Sequence, residues 1–157
     1  MNPASLYHKL NAVLAFVAGW LRSPFLLLVR LYWGWGFFQT GKGKLMNLDR
    51  TAGYFESLHL PAPKLNAIVA GSVECIGGLL LLAGLGGRIV PLPLIFMMAV
   101  AYATSETEAV HALASDPDKF VTAAPFLFLL AAVIVFVFGP GRLSLDALLA
   151  KKTSSEV

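Results

Sequence analysis

Charged side chains are scarce in this sequence. Lys and Arg number 12 and Asp and Glu number 9 among 157 residues, so charged residues make up 13% of the chain, against about 25% in soluble domains. Hydrophobic residues make up 57%, whereas soluble domains have roughly 45–50% even when glycine is counted. Because a water-soluble fold covers its surface with polar side chains, the composition excludes such a fold and indicates an integral membrane protein.

Cysteine and the common cofactor motifs are also scarce or missing. Cys75 is the single cysteine, which excludes an intramolecular disulfide and a CxxC redox pair. Neither the glycine-rich dinucleotide fingerprint nor the phosphate-binding loop motif occurs. The basic residues are scattered along the chain, a pattern that argues against a nucleic-acid partner. We therefore expect no intrinsic cofactor.

Four apolar runs remain, and each is predicted to be a helix that crosses a bilayer. A crossing needs about 20 residues, and the spans are placed at about 23–40, 65–87, 89–104 and 120–138. Residues 1–22 are predicted to form an interfacial segment, because Leu10, Leu14 and Val17 recur at helical spacing. The predicted fold is all-α, an integral membrane four-helix bundle with short interfacial helices, in one domain over residues 1–157.

The distribution of Lys and Arg sets the expected orientation. Six lie on the side of the spans that carries both termini and five on the other side, and the positive-inside rule then places the termini in the cytoplasm. We expect a multi-pass protein of the bacterial cytoplasmic (inner) membrane, with residues 142–157 forming a cytoplasmic tail.

Arg30 and Glu74 are charged residues inside the first and second predicted spans. An ionised group at the centre of a bilayer costs about 2.5–3.5 kcal/mol on insertion scales, so such residues are paired or functional. Arg30 precedes Lys42 by twelve residues and Glu74 follows Lys64 by ten. In antiparallel spans this spacing places the two within roughly 3 Å of the same depth. The sequence therefore predicts a buried Arg30–Glu74 ion pair.

Two roles are open for this pair. It could be a staple between helices that fixes their register, or it could bind a quinone headgroup, an anion or a proton. Small residues beside it permit close helix packing, and the aromatic residues could stack on a quinone ring or simply pack. The candidates for lining a ligand are Trp33, Gly34, Phe37, Gly71 and Gly78.

The histidines His8, His59 and His111 lie outside the spans. This placement excludes a bis-histidine haem site within the bilayer. His59 and His111 are candidates for chemistry in the loops, but their spacing matches no metal-ligand pattern. We interpret both as solvated loop residues and expect no metal site.

Four segments, in order along the chain, resemble the DoxX family of small four-helix membrane proteins. They are R-L-Y-W-G-W-G-F-F-Q-T-G-K-G-K-L at 30–45, L-H-L-P-A-P at 58–63, V-E-C-I-G-G-L-L-L-L-A-G-L-G-G-R at 73–88 and G-P-G-R-L-S-L-D at 139–146. We predict that the last segment, with Gly139, Pro140 and Gly141, ends the fourth span, and that Ser144 and Asp146 start or cap a short terminal helix.

The resemblance implies a function that the residues alone do not. DoxX relatives resemble the small membrane subunit of a thiosulfate:quinone oxidoreductase and are linked to membrane-associated thiol and oxidative-stress systems. The resemblance thus implies a membrane subunit or partner of a quinone- or thiol-linked oxidoreductase, embedded in the lipid bilayer, with quinone as its cofactor and a soluble oxidoreductase as its partner. Enzyme status and oligomer formation stay open.

Two alternatives come from other classes of protein. One is a small carrier or channel in which Arg30 and Glu74 line a polar path. The other is a non-catalytic membrane scaffold.

Overall fold

A computed structural model describes residues 2–154 and is helical, without strands, over that range. The helices, in chain order, are α1 (Pro3–Met46), α2 (Leu48–Ser57), α3 (Pro63–Ala83), α4 (Pro91–Thr104), α5 (Thr107–His111), α6 (Pro117–Thr122), α7 (Pro125–Phe138) and α8 (Leu145–Ser154). The all-α prediction is confirmed for this range. Residue 1 of the predicted interfacial segment and residues 155–157 of the predicted tail lie outside it.

The first helix, α1, has 44 residues and is about 66 Å long at 1.5 Å per residue. The side chain of Asn2 accepts a hydrogen bond from the backbone N–H of Ala4 at 3.2 Å, and Pro3 fits the first helical position. The predicted boundary near residue 23 is not seen, because the helix continues through Pro24. Neighbouring groups can compensate for the one N–H that a proline removes from an apolar helix. The predicted interfacial segment is thus the exposed N-terminal half of α1.

Helix α3 packs along the C-terminal half of α1, α4 packs on α3, and α7 packs on both α4 and α1. The backbones of α1 and α3 approach each other closely at Gly34 and Gly78. A Cβ atom added at Gly78 would lie 2.7 Å from the carbonyl oxygen of Gly34, a distance that leaves room only for glycine. The buried core beside this contact consists of Phe37, Leu81, Leu94, Met98, Ala132 and Val135.

Helices α1 and α3 are long and apolar enough to cross a membrane, whereas α4 and α7 have 14 residues each. Each of these two shorter helices is therefore about 21 Å long. The fourth predicted span, 120–138, is not one continuous helix, because α6 ends at Thr122 and Ala123 is extended with ψ 144°. Pro125 then starts α7, a position where its missing N–H costs little.

The helix of the second predicted span, 65–87, ends at Ala83. Gly84 adopts a left-handed φ of 69°, a conformation that suits glycine because it has no Cβ. The backbone N–H of Leu85 then donates to the carbonyl of Leu80 at 3.0 Å, which completes the usual glycine C-cap of a helix. The loop after α3 starts at this glycine and leads to α4.

Candidate functional site

The structure does not bring Arg30 and Glu74 together. Because Gly34 packs against Gly78 in the antiparallel helix, Arg30 lies near the level of Leu82. Its side chain donates to the Leu82 carbonyl at 3.4 Å. Leu82 follows Glu74 by eight residues, which is about 12 Å along the helix axis. The two charges are therefore too far apart to form an ion pair.

The predicted pairing is wrong because it measures the depth of Arg30 from Lys42, taken as a residue just beyond the end of the first span. Helix α1 instead continues to Met46, and Lys44 lies in its last turn. The ammonium nitrogen Nζ of Lys44 donates to both carboxylate oxygens of Glu74, at 2.5 Å each. Glu74 is therefore paired, with a residue that the sequence-based prediction missed.

A pattern in the sequence could have identified Lys44. Residues at three- and four-residue spacing on α1 form the stripe that packs on α3, and Gly41 belongs to it. Three more residues along the same stripe lead to Lys44, and residues at this spacing share a helix face.

Burial makes the Lys44–Glu74 pair interdependent. The side chain of Glu74 is 4% exposed and that of Lys44 is 30% exposed. Lysine can bury its apolar stem while its ammonium group reaches a polar partner. The pair as a whole carries no net charge, whereas removal of either partner would leave the other charge uncompensated in an apolar setting.

A cavity of about 360 Å³ lies beside this pair, between α2, α3 and α4. Its volume falls within the range of about 300–1,000 Å³ that is usual for small-molecule sites. Lys44 and Glu74 contribute the charged groups of its lining. The rest of the wall is largely apolar and includes Phe55, Leu58, Val69, Ala70, Phe96, Met97 and Val100.

A second cavity, of about 260 Å³, reaches the same ion pair. It shares Lys44 and Glu74 with the larger cavity and adds Thr40 and Glu106 to the lining. Hydrogen-bond donors and acceptors therefore converge where the two cavities meet. This arrangement can offer an ammonium donor and a carboxylate acceptor to one neutral ligand.

The residues predicted to line a ligand lie elsewhere. Gly34, Gly71 and Gly78 are buried in the contact between α1 and α3, and Phe37 is fully buried in the core. Trp33 lines an open groove of about 690 Å³ on the outer face of α1. Its other lining residues include Leu28, Leu31, Tyr32, Trp35 and Phe128.

Arg30 occupies the opposite end of the α1–α3 contact. It is 1% exposed, and its guanidinium donates to the carbonyls of Leu82 and Leu143. Leu82 is in the last turn of α3, where carbonyls lack partners within the helix and favour a positive charge. Arg30 thus joins α1 to the end of α3 and to the segment before α8.

The motif at 139–146 docks on the loop after α3. The two carboxylate oxygens of Asp146 accept hydrogen bonds from the backbone N–H groups of Gly86 at 3.0 Å and Gly87 at 2.7 Å. The hydroxyl of Ser144 accepts one from Ala147 N at 3.3 Å and caps α8, as predicted. The predicted end of α7 is also confirmed, since Gly139 follows its last residue with a φ of 75°.

Replacing Asp146 with alanine is expected to lower the free energy of unfolding by about 2–4 kcal/mol, because two backbone donors lose a charged acceptor. Chemical unfolding in a mild detergent measures this change. Alanine at the exposed Glu56 is the control and should change stability by less than about 0.5 kcal/mol. Equal effects at both positions would contradict the role assigned to Asp146.

The histidine candidates lie at the surface. His59 follows α2 with a φ of 58°, and His111 is the last residue of α5. Both are exposed. Across residues 2–154 the structure brings together no group of three side chains of the metal-binding types His, Cys, Asp and Glu.

These features define a small α-helical membrane protein with a buried ion pair beside an apolar cavity. Residues 25–107 match the DoxX family, and the chain belongs to that family. It is 30% identical over 144 residues to the uncharacterized membrane protein Rv3486 of Mycobacterium tuberculosis. The aligned region covers 84% of this chain and 85% of the relative. No solved structure matches the chain. The family match includes Arg30, Lys44 and Glu74 but ends before the docked motif at 139–146.

Proposed function

We propose that the chain is the membrane partner of a quinone-linked oxidoreductase and binds a quinone headgroup beside Lys44 and Glu74. The observation that supports this proposal is the 360 Å³ cavity, whose largely apolar wall is interrupted by a buried, net-neutral ion pair. Apolar cavities with a few placed polar groups are the usual form of small-molecule sites.

The ion pair suits a neutral ligand that has carbonyl or hydroxyl groups. The ammonium group of Lys44 can donate a hydrogen bond to a quinone carbonyl, and the carboxylate of Glu74 can accept one from a quinol hydroxyl. Hydrogen bonds to charged groups are the stronger kind. A bound quinone supplies a two-electron acceptor, while the chain binds and orients it and a soluble oxidoreductase supplies the electrons.

The proposal includes a placement in the membrane. Helices α1, α3, α4 and α7 cross the bacterial inner membrane as a four-helix bundle, with the turns that flank the 14-residue helices α4 and α7 completing their crossings. The Lys and Arg distribution then puts the termini in the cytoplasm. The cavity, at the end of the bundle away from α8, faces the opposite side of the membrane.

Photolabelling tests the location of the ligand. A short-chain quinone that carries an azide is added to membranes containing the protein, irradiated, and the labelled peptides are identified by mass spectrometry. We expect labels on Tyr54, Met97 or their neighbours, which line the cavity, and competition by unlabelled quinone. Labels confined to the open groove at Trp33 and Trp35 would contradict the proposed site.

Copurification tests the proposed partner. A tagged chain extracted from its native membranes in mild detergent should retain a soluble oxidoreductase, and removal of the chain should slow quinone reduction by that enzyme. If the copurified enzyme is a thiol-linked oxidoreductase, it identifies a thiol as the source of the electrons. Recovery without any oxidoreductase, together with unchanged quinone reduction, would contradict the partnership and leave the ligand site to be judged by photolabelling.

A further inference from the structure

Arg22, Arg88 and Arg142 are far apart in sequence but lie next to or within the segment 138–142. This segment is at the end of the fold opposite the Lys44–Glu74 pair. Arg22 in α1 donates to the carbonyl of Phe138 at 2.8 Å, and its guanidinium lies 5.6 Å from the centre of the Phe138 ring. The backbone N–H of Arg142 donates to the hydroxyl of Ser23 at 3.3 Å, which places Arg142 beside Arg22.

The third arginine reaches the same segment through the loop after α3. Arg88 follows Gly87, and a Cβ atom at Gly87 would lie 2.6 Å from Cγ of Pro140. Pro140 precedes Arg142 by two residues in the docked motif. The docking of residues 138–142 on both α1 and this loop therefore gathers Arg22, Arg88 and Arg142 at one surface.

These arginines are exposed, and no ion pair with a carboxylate forms at any of them within the described residues 2–154. Asp146 is the acidic residue that the described contacts place nearby, and both its oxygens accept backbone hydrogen bonds from Gly86 and Gly87. With three arginines and one nearby carboxylate, the surface therefore carries a net positive charge.

Apolar side chains flank the arginines. Phe138 and Leu143 are each 50% exposed, and Leu148 on α8 is exposed as well. Guanidinium groups bind phosphate oxygens in a bidentate manner, and exposed apolar residues beside them can contact acyl chains. A phosphate attached to a lipid satisfies both parts of this surface, whereas free phosphate satisfies only the charged part.

We propose that Arg22, Arg88 and Arg142 form a site for the phosphate headgroup of an anionic phospholipid. The site is separate from the Lys44–Glu74 cavity and does not depend on the proposed quinone function. It anchors the docked motif and α8 to an anionic leaflet.

Native mass spectrometry of the detergent-solubilised protein tests this site. The protein is incubated with equal amounts of phosphatidylglycerol and phosphatidylcholine, and the retained lipid is counted. Wild-type protein should retain phosphatidylglycerol preferentially. The Arg88→Gln/Arg142→Gln variant leaves the Arg22 contact with Phe138 in place and should bind phosphatidylglycerol roughly 25-fold more weakly, at about fivefold for each arginine.

Matched controls separate a site from general charge attraction. The Lys42→Gln/Arg50→Gln variant removes the same charge from exposed positions at the other end and should keep the preference. Equal loss in both variants, or no preference in the wild type, would overturn the proposal. Circular dichroism verifies that each variant is folded.

Inorganic phosphate without lipid distinguishes the two sources of the headgroup chemistry. Phosphatidylglycerol should raise the melting temperature of the wild-type protein, and millimolar phosphate at matched ionic strength should not. Equal stabilisation by phosphate alone would overturn the assignment to a lipid.

Discussion

Replacing Lys44 with methionine is expected to lower the free energy of unfolding by about 3–5 kcal/mol, because the Glu74 carboxylate would remain buried without a partner. The partial exposure of Lys44 favours the lower end of this range, since water can reach the vacated position. The Lys44→Met/Glu74→Met variant should recover to within about 1 kcal/mol of the wild type, because an apolar pair replaces both charges. Equilibrium unfolding in mixed detergent micelles measures all three proteins.

Lys42 offers a matched control for the substitution of Lys44. It is exposed and lies two residues from Lys44 on the same helix, so Lys42→Met should change stability by less than about 0.5 kcal/mol. Equal effects of methionine at positions 42 and 44 would contradict the buried pair. A double variant no more stable than Lys44→Met would contradict it as well.

Replacing Gly78 with leucine is expected to lower the free energy of unfolding by about 3 kcal/mol or more, at the upper end for overpacked cores. The first added carbon would lie 2.5 Å from the backbone nitrogen of Phe38 and 2.7 Å from the carbonyl oxygen of Gly34. Both neighbours are backbone atoms, so relief requires the two helices to separate. Thermal unfolding, followed by circular dichroism in detergent, measures the loss.

Gly43 on α1 is the control for this substitution. Nothing lies within 4 Å of a Cβ atom built there, and leucine favours a helix over glycine by roughly 0.8 kcal/mol. Gly43→Leu should therefore leave the protein at least as stable as the wild type. A Gly78→Leu variant that unfolds at the wild-type temperature would show that α1 and α3 do not approach as closely as described.

Periodic features of the helices could be predicted from the sequence because they depend on local spacing. The small residues predicted to share the facing stripes of α1 and α3, such as Gly34 and Gly78, do meet in the structure. Ser144 also caps a terminal helix as predicted. In each case the pattern needs only the helical period and a capping residue.

The partner of Glu74 could not be predicted, because it depends on how α1 and α3 are aligned along their axes, and local sequence patterns do not determine that alignment. The relative depth of Arg30 and Glu74 depends on where α1 ends, and its last turns, Gly41 to Met46, contain two lysines and two glycines. Such a composition is typical of a loop, but Lys44 stays helical and finds a buried carboxylate. Tertiary pairing thus overrides the local composition.

The docking of Asp146 could not be derived from local patterns either. Its partners Gly86 and Gly87 precede it by 60 and 59 residues, and no periodicity connects segments so far apart. The motif at 139–146 was recognisable, whereas its contact surface follows from how α1, α3 and α7 pack.

Quinone affinity in the charge-free variant tests the proposed site most directly. Quinone analogues are titrated into wild-type protein, Lys42→Met and Lys44→Met/Glu74→Met, and binding is followed by quenching of intrinsic fluorescence. We predict that the double variant folds normally and binds at least about tenfold more weakly, as expected for the loss of hydrogen bonds to charged groups, while Lys42→Met binds like the wild type. Wild-type affinity in the folded double variant would contradict a quinone site at Lys44 and Glu74.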